Sequence, residues 1–154
     1  MNIDKKYKLE GITSKDKTRE ALNSIYVYEN GRTWAVATNG RALAKVPVEI
    51  KAGELEKGNS IKANDLKFQR SNPAIKKQDN MFCFLEKLPS QYPNIDMVIP
   101  TGEAKVSFKL DVALLKALAD ALGTENIKIE YIDENKPLRV SVLNGEANGV
   151  IMHN

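Results

Sequence analysis

The sequence predicts an α+β fold of antiparallel sheets with two helices on one face, in two loosely repeated halves. Three observations carry that expectation. Strand-like apolar runs follow one another with Asn-Gly pairs between them, at Asn30-Gly31, Asn39-Gly40 and Asn144-Gly145, and Asn-Gly is the strongest short hairpin signal. The segment 111–123 carries the period of an amphipathic helix. Helices never alternate singly with strands, which argues against a parallel doubly wound sheet.

Taken in order, SIYVYEN (24–30) is β-branched and aromatic throughout and reads as a strand. Asn30-Gly31 then predicts a type I′ turn, with positive φ at both central positions. RTWAVAT (32–38) returns, and after Asn39-Gly40 so does RALAKVPVEI (41–50). Pro47 removes a ladder donor and places that third strand at a sheet edge. KAGELEKGNS (51–60) is polar and Gly-punctuated and reads as a loop. NDLKFQRS, from Asn64, reads as a short capped helix that ends before Pro73. NMFCFLEKL (80–88) is a further strand, and PSQYPNIDMVIPTG (89–102), with its three prolines, an ordered connector.

The last third is the most regular. AKVSFKL (104–110) alternates as a strand. DVALLKALADALG (111–123) has Asp111 as N-cap and Gly123 just past its end. Its apolar positions Val112, Leu114, Leu115, Leu118 and Leu122 imply one buried face. NIKIEYID (126–133), PLRVSVLN (137–144) and NGVIMHN (148–154) add three strands. The 154 residues read as a single domain, with halves at approximately 1–90 and 101–154 and a connector at 91–100.

Composition narrows the chemistry. Hydrophobic residues at 42% and charged residues at 28% are the balance of a globular chain, not a disordered one. The single Cys83 excludes an intramolecular disulfide and a cysteine-rich zinc site. The single His153 excludes two-histidine metal motifs and most histidine triads. The glycine spacing fits neither GxGxxG nor GxxxxGK[ST]. No nucleophile pairs with a base, which also counts against a small hydrolase with an unfamiliar site. A non-enzyme with no metal and no other cofactor is expected. MNIDKKYKLEG has no apolar h-region, and no apolar run approaches the roughly 20 residues that span a bilayer. The expectation is a cytoplasmic, reduced protein with no membrane partner. A formal charge of +3 is too small to imply nucleic acid unless the positive charge is clustered.

Several stretches carry a family resemblance. YVYENGRTWAVATNGRALAKVPV (26–48) resembles the segment of the bacterial DNA polymerase III beta subunit, the sliding clamp, that runs through an Ala-Thr-Asp-Gly-His-Arg-Leu-Ala motif. TREALNSIYVYE, overlapping its start, is similar to the family's Arg-x-x-Leu-Asn-Gly strand entry. QYPNIDMVIP (91–100) is similar to the Phe-Pro-Asp-Tyr and Val-Leu-Pro connector between clamp domains. From Ala104 to VIMHN the chain resembles a clamp half-domain of strand, helix and three strands, ending in Val150-Ile151-Met152 much like the family's Val-Met-Pro run. The resemblance covers most of 19–154. It departs where Asn39 replaces the family's Asp, Arg41 its His, Ala42 its Arg and His153 its Pro. The family's chain holds three domains and closes a ring around duplex DNA. Here there is material for about one, and the first helix of a clamp domain is missing.

The resemblance implies a DNA-clamp-like protein acting in DNA replication or repair through duplex DNA, replication proteins, or both. Encirclement by so short a chain would need a homo-oligomer. The other reading is an interaction or regulatory module, a clamp or polymerase decoy of phage or mobile-element origin, that does not encircle DNA. Clamp helices meet phosphates through Lys and Arg. The one basic cluster here is Lys62, Lys67, Arg70, Lys76 and Lys77, against only Asp65, and it reads as phosphate contact or as a solvated face. Lys116 lies between Asp111 and Asp120, so the second helix has no basic face.

In the family, partners insert an apolar peptide into a cleft built by two adjacent domains. The motif-matched positions are Thr38, Gly40, Leu43, Pro100, Val150 and Met152, with Met152 as an adaptable apolar wall. Core packing is the other reading of Leu43, Val150 and Met152. Trp34, Tyr26 and Tyr28 read as packing residues and not as a platform for bases. Cys83 reads as an inert packed thiol and Asp133-Glu134 as a solvated turn. His153 has no partner identifiable in the sequence.

Overall fold

Burial on both faces of one sheet organises the first part of the protein. The computed structural model describes residues 1–75 and 77–153. The chain divides into two compact units, Met1–Ile99 and Pro100–Asn154. In the first, β1 (Asn2–Asp4) pairs antiparallel with the later β6 (Asn80–Phe82). The meander of β2 (Ser24–Asn30), β3 (Arg32–Thr38) and β4 (Leu43–Pro47) is extended by β5 (Ser60–Lys62), giving the order β4-β3-β2-β5. Pro47 therefore does lie on an edge strand.

Period-two alternation assigns the faces. Ile25, Val27, Ala35, Ala37 and Ile61 turn into one core with Ile3, Leu9, Leu66 and Met81. Val36, Tyr26, Tyr28 and Leu43 turn the other way, onto Ala21, Tyr92 and Ile95. Tyr92, Ile95 and Ile99 of the expected connector thus belong to the first unit's own core. The connector also forms a single helical turn, α3 (Ile95–Val98), after Asn94, whose side chain accepts from the Asp96 amide. Another single turn, α1 (Glu54–Lys57), interrupts the loop expected at 51–60. The 9-residue α2 (Ala63–Ser71) starts one residue before Asn64, so Lys62 stands at its N-cap and no side chain caps it.

Two turns differ from expectation. In the first hairpin Asn30 pairs with Arg32, and the positive φ falls on Gly31 alone, at 70°. A turn centred on one glycine needs the left-handed region once, so the two-residue I′ geometry is absent. In the second, Thr38 pairs with Leu43 across a four-residue loop. The strand expected over 80–88 is cut to three residues at Phe82, because the backbone then changes partners. The Cys83 amide donates to the Met1 carbonyl, and Glu86 exchanges amide-carbonyl bonds with Ser60. Gly58 is wedged beside that exchange: a Cβ there would sit 2.3 Å from the Glu86 carbonyl carbon.

The second unit is a helix over an antiparallel meander. The helix α4 (Val112–Ala121) begins where Asp111 Oδ1 accepts from the amides of Ala113 at 2.8 Å and Leu114 at 3.2 Å. It ends at Gly123, whose φ of 68° lets its own amide reach Asp120 and that of Thr124 reach Ala119, each at 3.1 Å. The sheet order is β7 (Ile127–Glu130), β8 (Leu138–Val142), β9 (Asn148–Ile151). Leu115, Leu118 and Leu122 cover Leu138, Val140 and Ile151.

The buried stripe is narrower than the periodicity predicts, because Val112 is 76% and Leu114 54% exposed. The strand expected at 104–110 has no ladder partner among the described residues; only its Leu110 joins the core.

Candidate nucleic-acid interface

The helix α2 sorts its basic residues by face. Arg70 lies four residues beyond the fully buried Leu66, on the same side of the helix. Its guanidinium bonds both oxygens of the buried Glu10 and donates to the carbonyls of Lys5 at 2.6 Å and Tyr7 at 2.8 Å. Arg70 is a structural clamp on the 5–10 segment, unavailable to phosphate. Lys67 and Lys62 face outward, and Lys62 makes a loose, exposed pair with Glu86 at 3.3 Å. Lys77 is exposed, and Lys76 lies outside the described residues.

Folding adds two lysines that proximity in sequence does not suggest. Lys15 and Lys17 join Lys62 and Lys67 around a cavity of about 760 Å³, which Ala63 and Asn64 of the α2 start also line. The first-turn amides of α2 have no side-chain cap, and such amides favour negative charge. Asn23 lines the same cavity with its buried Oδ1 unpartnered. Glu10 and Glu20 are the acidic residues on its wall, and Glu10 is already neutralised by Arg70. The chemistry offered is sequence-independent contact with anionic oxygens.

Three of the six groove positions come together in the β3–β4 loop. Thr38 Oγ1 donates to the Ala42 carbonyl at 2.7 Å and accepts from the Gly40 amide at 3.1 Å. Asn39 Oδ1 accepts from the amides of Arg41 and Ala42, both at 2.9 Å. A neutral amide oxygen therefore closes this loop where the resembled family has a carboxylate. Gly40 takes a φ of 87°, and Leu43 packs with Tyr92 and Ile95. Pro100, Val150 and Met152 belong to the second unit. Val150 at 62% and Met152 at 70% are exposed, which removes the core reading for both.

No family model matches the sequence, and no curated protein matches it either. Solved structures do match, over the whole chain. The DNA polymerase III subunit beta sliding clamp from Bartonella birtlesii, solved bound to griselimycin, superposes with a TM-score of 0.71 at 17% identity over 99% of this chain. The C. crescentus beta sliding clamp superposes with a TM-score of 0.64 at 20% identity over the full chain. The chain has the sliding-clamp fold. The Borrelia burgdorferi subunit agrees, with a TM-score of 0.56 at 14% identity. The chain spans about half the length of these clamps, 51%, 50% and 47% respectively.

Within this clamp fold the aromatic residues are engaged with one another and with cations. Tyr26 stacks on Tyr28 at 5.4 Å and on Tyr92 at 4.9 Å between ring centroids. Lys45 Nζ sits 4.5 Å from the Trp34 ring, with the Arg32 guanidinium 5.2 Å away. Cys83 is 4% exposed, and burial pushes its thiol up to about 11. His153, without a partner in the sequence reading, has Nε2 3.0 Å from the Lys136 carbonyl. Among the described residues no His, Cys, Asp and Glu group could hold a metal ion, and no helix is long and apolar enough to cross a membrane.

Proposed function

We propose that this chain is a non-enzymatic clamp-fold protein of DNA replication or repair, working in the cytoplasm on duplex DNA. The convergence of Lys15, Lys17, Lys62 and Lys67 at the uncapped start of α2 is the observation that carries this reading. Lysines on flexible stems neutralise phosphates without reading bases, so the contact would follow the backbone and release counterions. The exposed Lys62–Glu86 pair is no obstacle, since such pairs contribute little in water.

Charge reversal tests the reading. With Lys15, Lys17, Lys62 and Lys67 all changed to Glu, fluorescence anisotropy should show duplex binding abolished equally for unrelated sequences, while circular dichroism stays native. Undiminished binding by that variant would contradict the assignment.

A second reading, capture of an apolar peptide from a replication protein, draws on the exposure of Val150 and Met152 within the clamp-like Val150-Ile151-Met152 run. Val150→Asp and Met152→Asp would then abolish peptide binding without altering DNA affinity.

A further inference from the structure

Four Asn-Gly pairs stand in this chain, beginning at Asn30, Asn39, Asn144 and Asn148. Such a pair is chemically labile. Glycine has no Cβ, so its backbone nitrogen can approach the preceding side-chain amide carbon unhindered. The fold decides which pairs are free to react, because the asparagine must swing its Cγ onto that nitrogen.

Three of the four are held. Asn39 Oδ1 accepts from the Arg41 and Ala42 amides, and the Gly40 amide, which would be the nucleophile, donates to Thr38 Oγ1 at 3.1 Å. Asn30 pairs with Arg32 in the ladder, its side-chain amide reaches Asp96 at 3.4 Å, and its carbonyl accepts from Trp34 Nε1 at 3.2 Å. Asn148 and Gly149 face Ser141 and Val140 in the β8–β9 ladder, and Asn148 Nδ2 donates to the Glu146 carbonyl at 3.0 Å. Asn144 is different. It and Gly145 are exposed in the β8–β9 loop, which the Val142 amide closes onto the Ala147 carbonyl at 3.2 Å. Neither the Asn144 side chain nor the Gly145 amide has a hydrogen-bond partner among the described residues.

We propose that Asn144 is a site of spontaneous modification, deamidating through Gly145 while the fold protects the other three pairs. The Gly145 nitrogen attacks Asn144 Cγ and forms the new N–Cγ bond. The Cγ–Nδ2 bond breaks, and ammonia leaves with the amide proton. Water then opens the cyclic imide at either carbonyl, giving aspartate or isoaspartate. One water is consumed, one ammonia is released, and nothing is oxidised or reduced. The product adds a carboxylate two residues from Glu146, and its isoaspartate form lengthens the backbone of the turn that joins β8 to β9. At Asn39 the same hydrogen bonds that close the β3–β4 loop preserve the neutral amide.

This inference goes beyond the proposed DNA contact and uses none of its lysines, so either can fail alone. The native chain is aged in mildly alkaline buffer and read by peptide mapping with mass spectrometry. Asn144 should convert to a mixture of aspartate and isoaspartate while Asn30, Asn39 and Asn148 stay amidated. Three hydrogen bonds must open before Asn39 can react, so Asn39 should lag Asn144 at least about tenfold. In urea the four pairs should convert at similar rates. Thr38→Val, which frees the Gly40 amide, should speed conversion at Asn39 and leave Asn144 unchanged, with circular dichroism confirming that the variant is folded. Native Asn144 reacting no faster than Asn39 overturns the proposal. So does a preference for Asn144 that survives in urea, since local sequence and not the fold would then set it.

Discussion

Arg70 and Lys67 are three residues apart on one helix and do unrelated work. Arg70 faces the interior, where Glu10 is only 8% exposed. Removing the guanidinium would strand that carboxylate, and breaking a buried pair from one side costs about 3–5 kcal/mol. Arg70→Ala should therefore lower the denaturant midpoint sharply, while duplex affinity of the folded protein is unchanged. Lys67→Ala should do the reverse. The sequence concealed the difference, because Leu66 and Phe68 are equally apolar and only the fold shows that Leu66, four residues before Arg70, is the buried one. At the other end of the chain, the Arg139 guanidinium, seconded by Lys128, holds the Glu130 carboxyl down at about 2 against an ordinary 4.5. The folded state favours the charged form, so this contribution is present above pH 4.5 and fades as pH falls toward 2. An NMR titration should find the Glu130 midpoint near 2, and Arg139→Gln should raise it.

At the scale of elements, periodicity and cap residues located α4 well, because Asp111, Gly123 and the Leu115, Leu118 and Leu122 stripe act locally. Leu118→Ala should cost about 2 kcal/mol, the low end for a core leucine, since Leu118 is only partly buried. Lys116→Ala, which removes only an exposed pair with Asp120, should leave the denaturant midpoint in place. Local pattern fails where a strand needs a partner. Val106 and Phe108 alternate as well as any strand here, yet 104–110 joins no ladder among the described residues, since alternation permits pairing without supplying a neighbour. Gly58 shows the same gap from the opposite direction. Nothing in its sequence context marks it, yet Gly58→Ala would drive a Cβ into the Glu86 backbone. Thermal melts should show that variant destabilised, whereas Gly11→Ala, which meets nothing within 4 Å, should not be destabilised by a clash.

At the scale of the whole molecule, the order of clamp-like stretches made the fold readable at 14–20% identity to the solved clamps. The motif 26–48 forms the central meander and 104–153 the helix-and-sheet unit. The basic site was half legible. Lys62 and Lys67 stood out as neighbours, but Lys15 and Lys17 lie some fifty residues away and reach the cavity only through the fold. The central claim is that these four lysines meet DNA phosphates. Its most direct test is the salt dependence of duplex affinity for the native protein. Each phosphate contact contributes about −0.9 to the slope of log K against log salt, so four should give roughly −3 to −4, the same for any sequence. A flat slope, or no binding even at low salt, would contradict it.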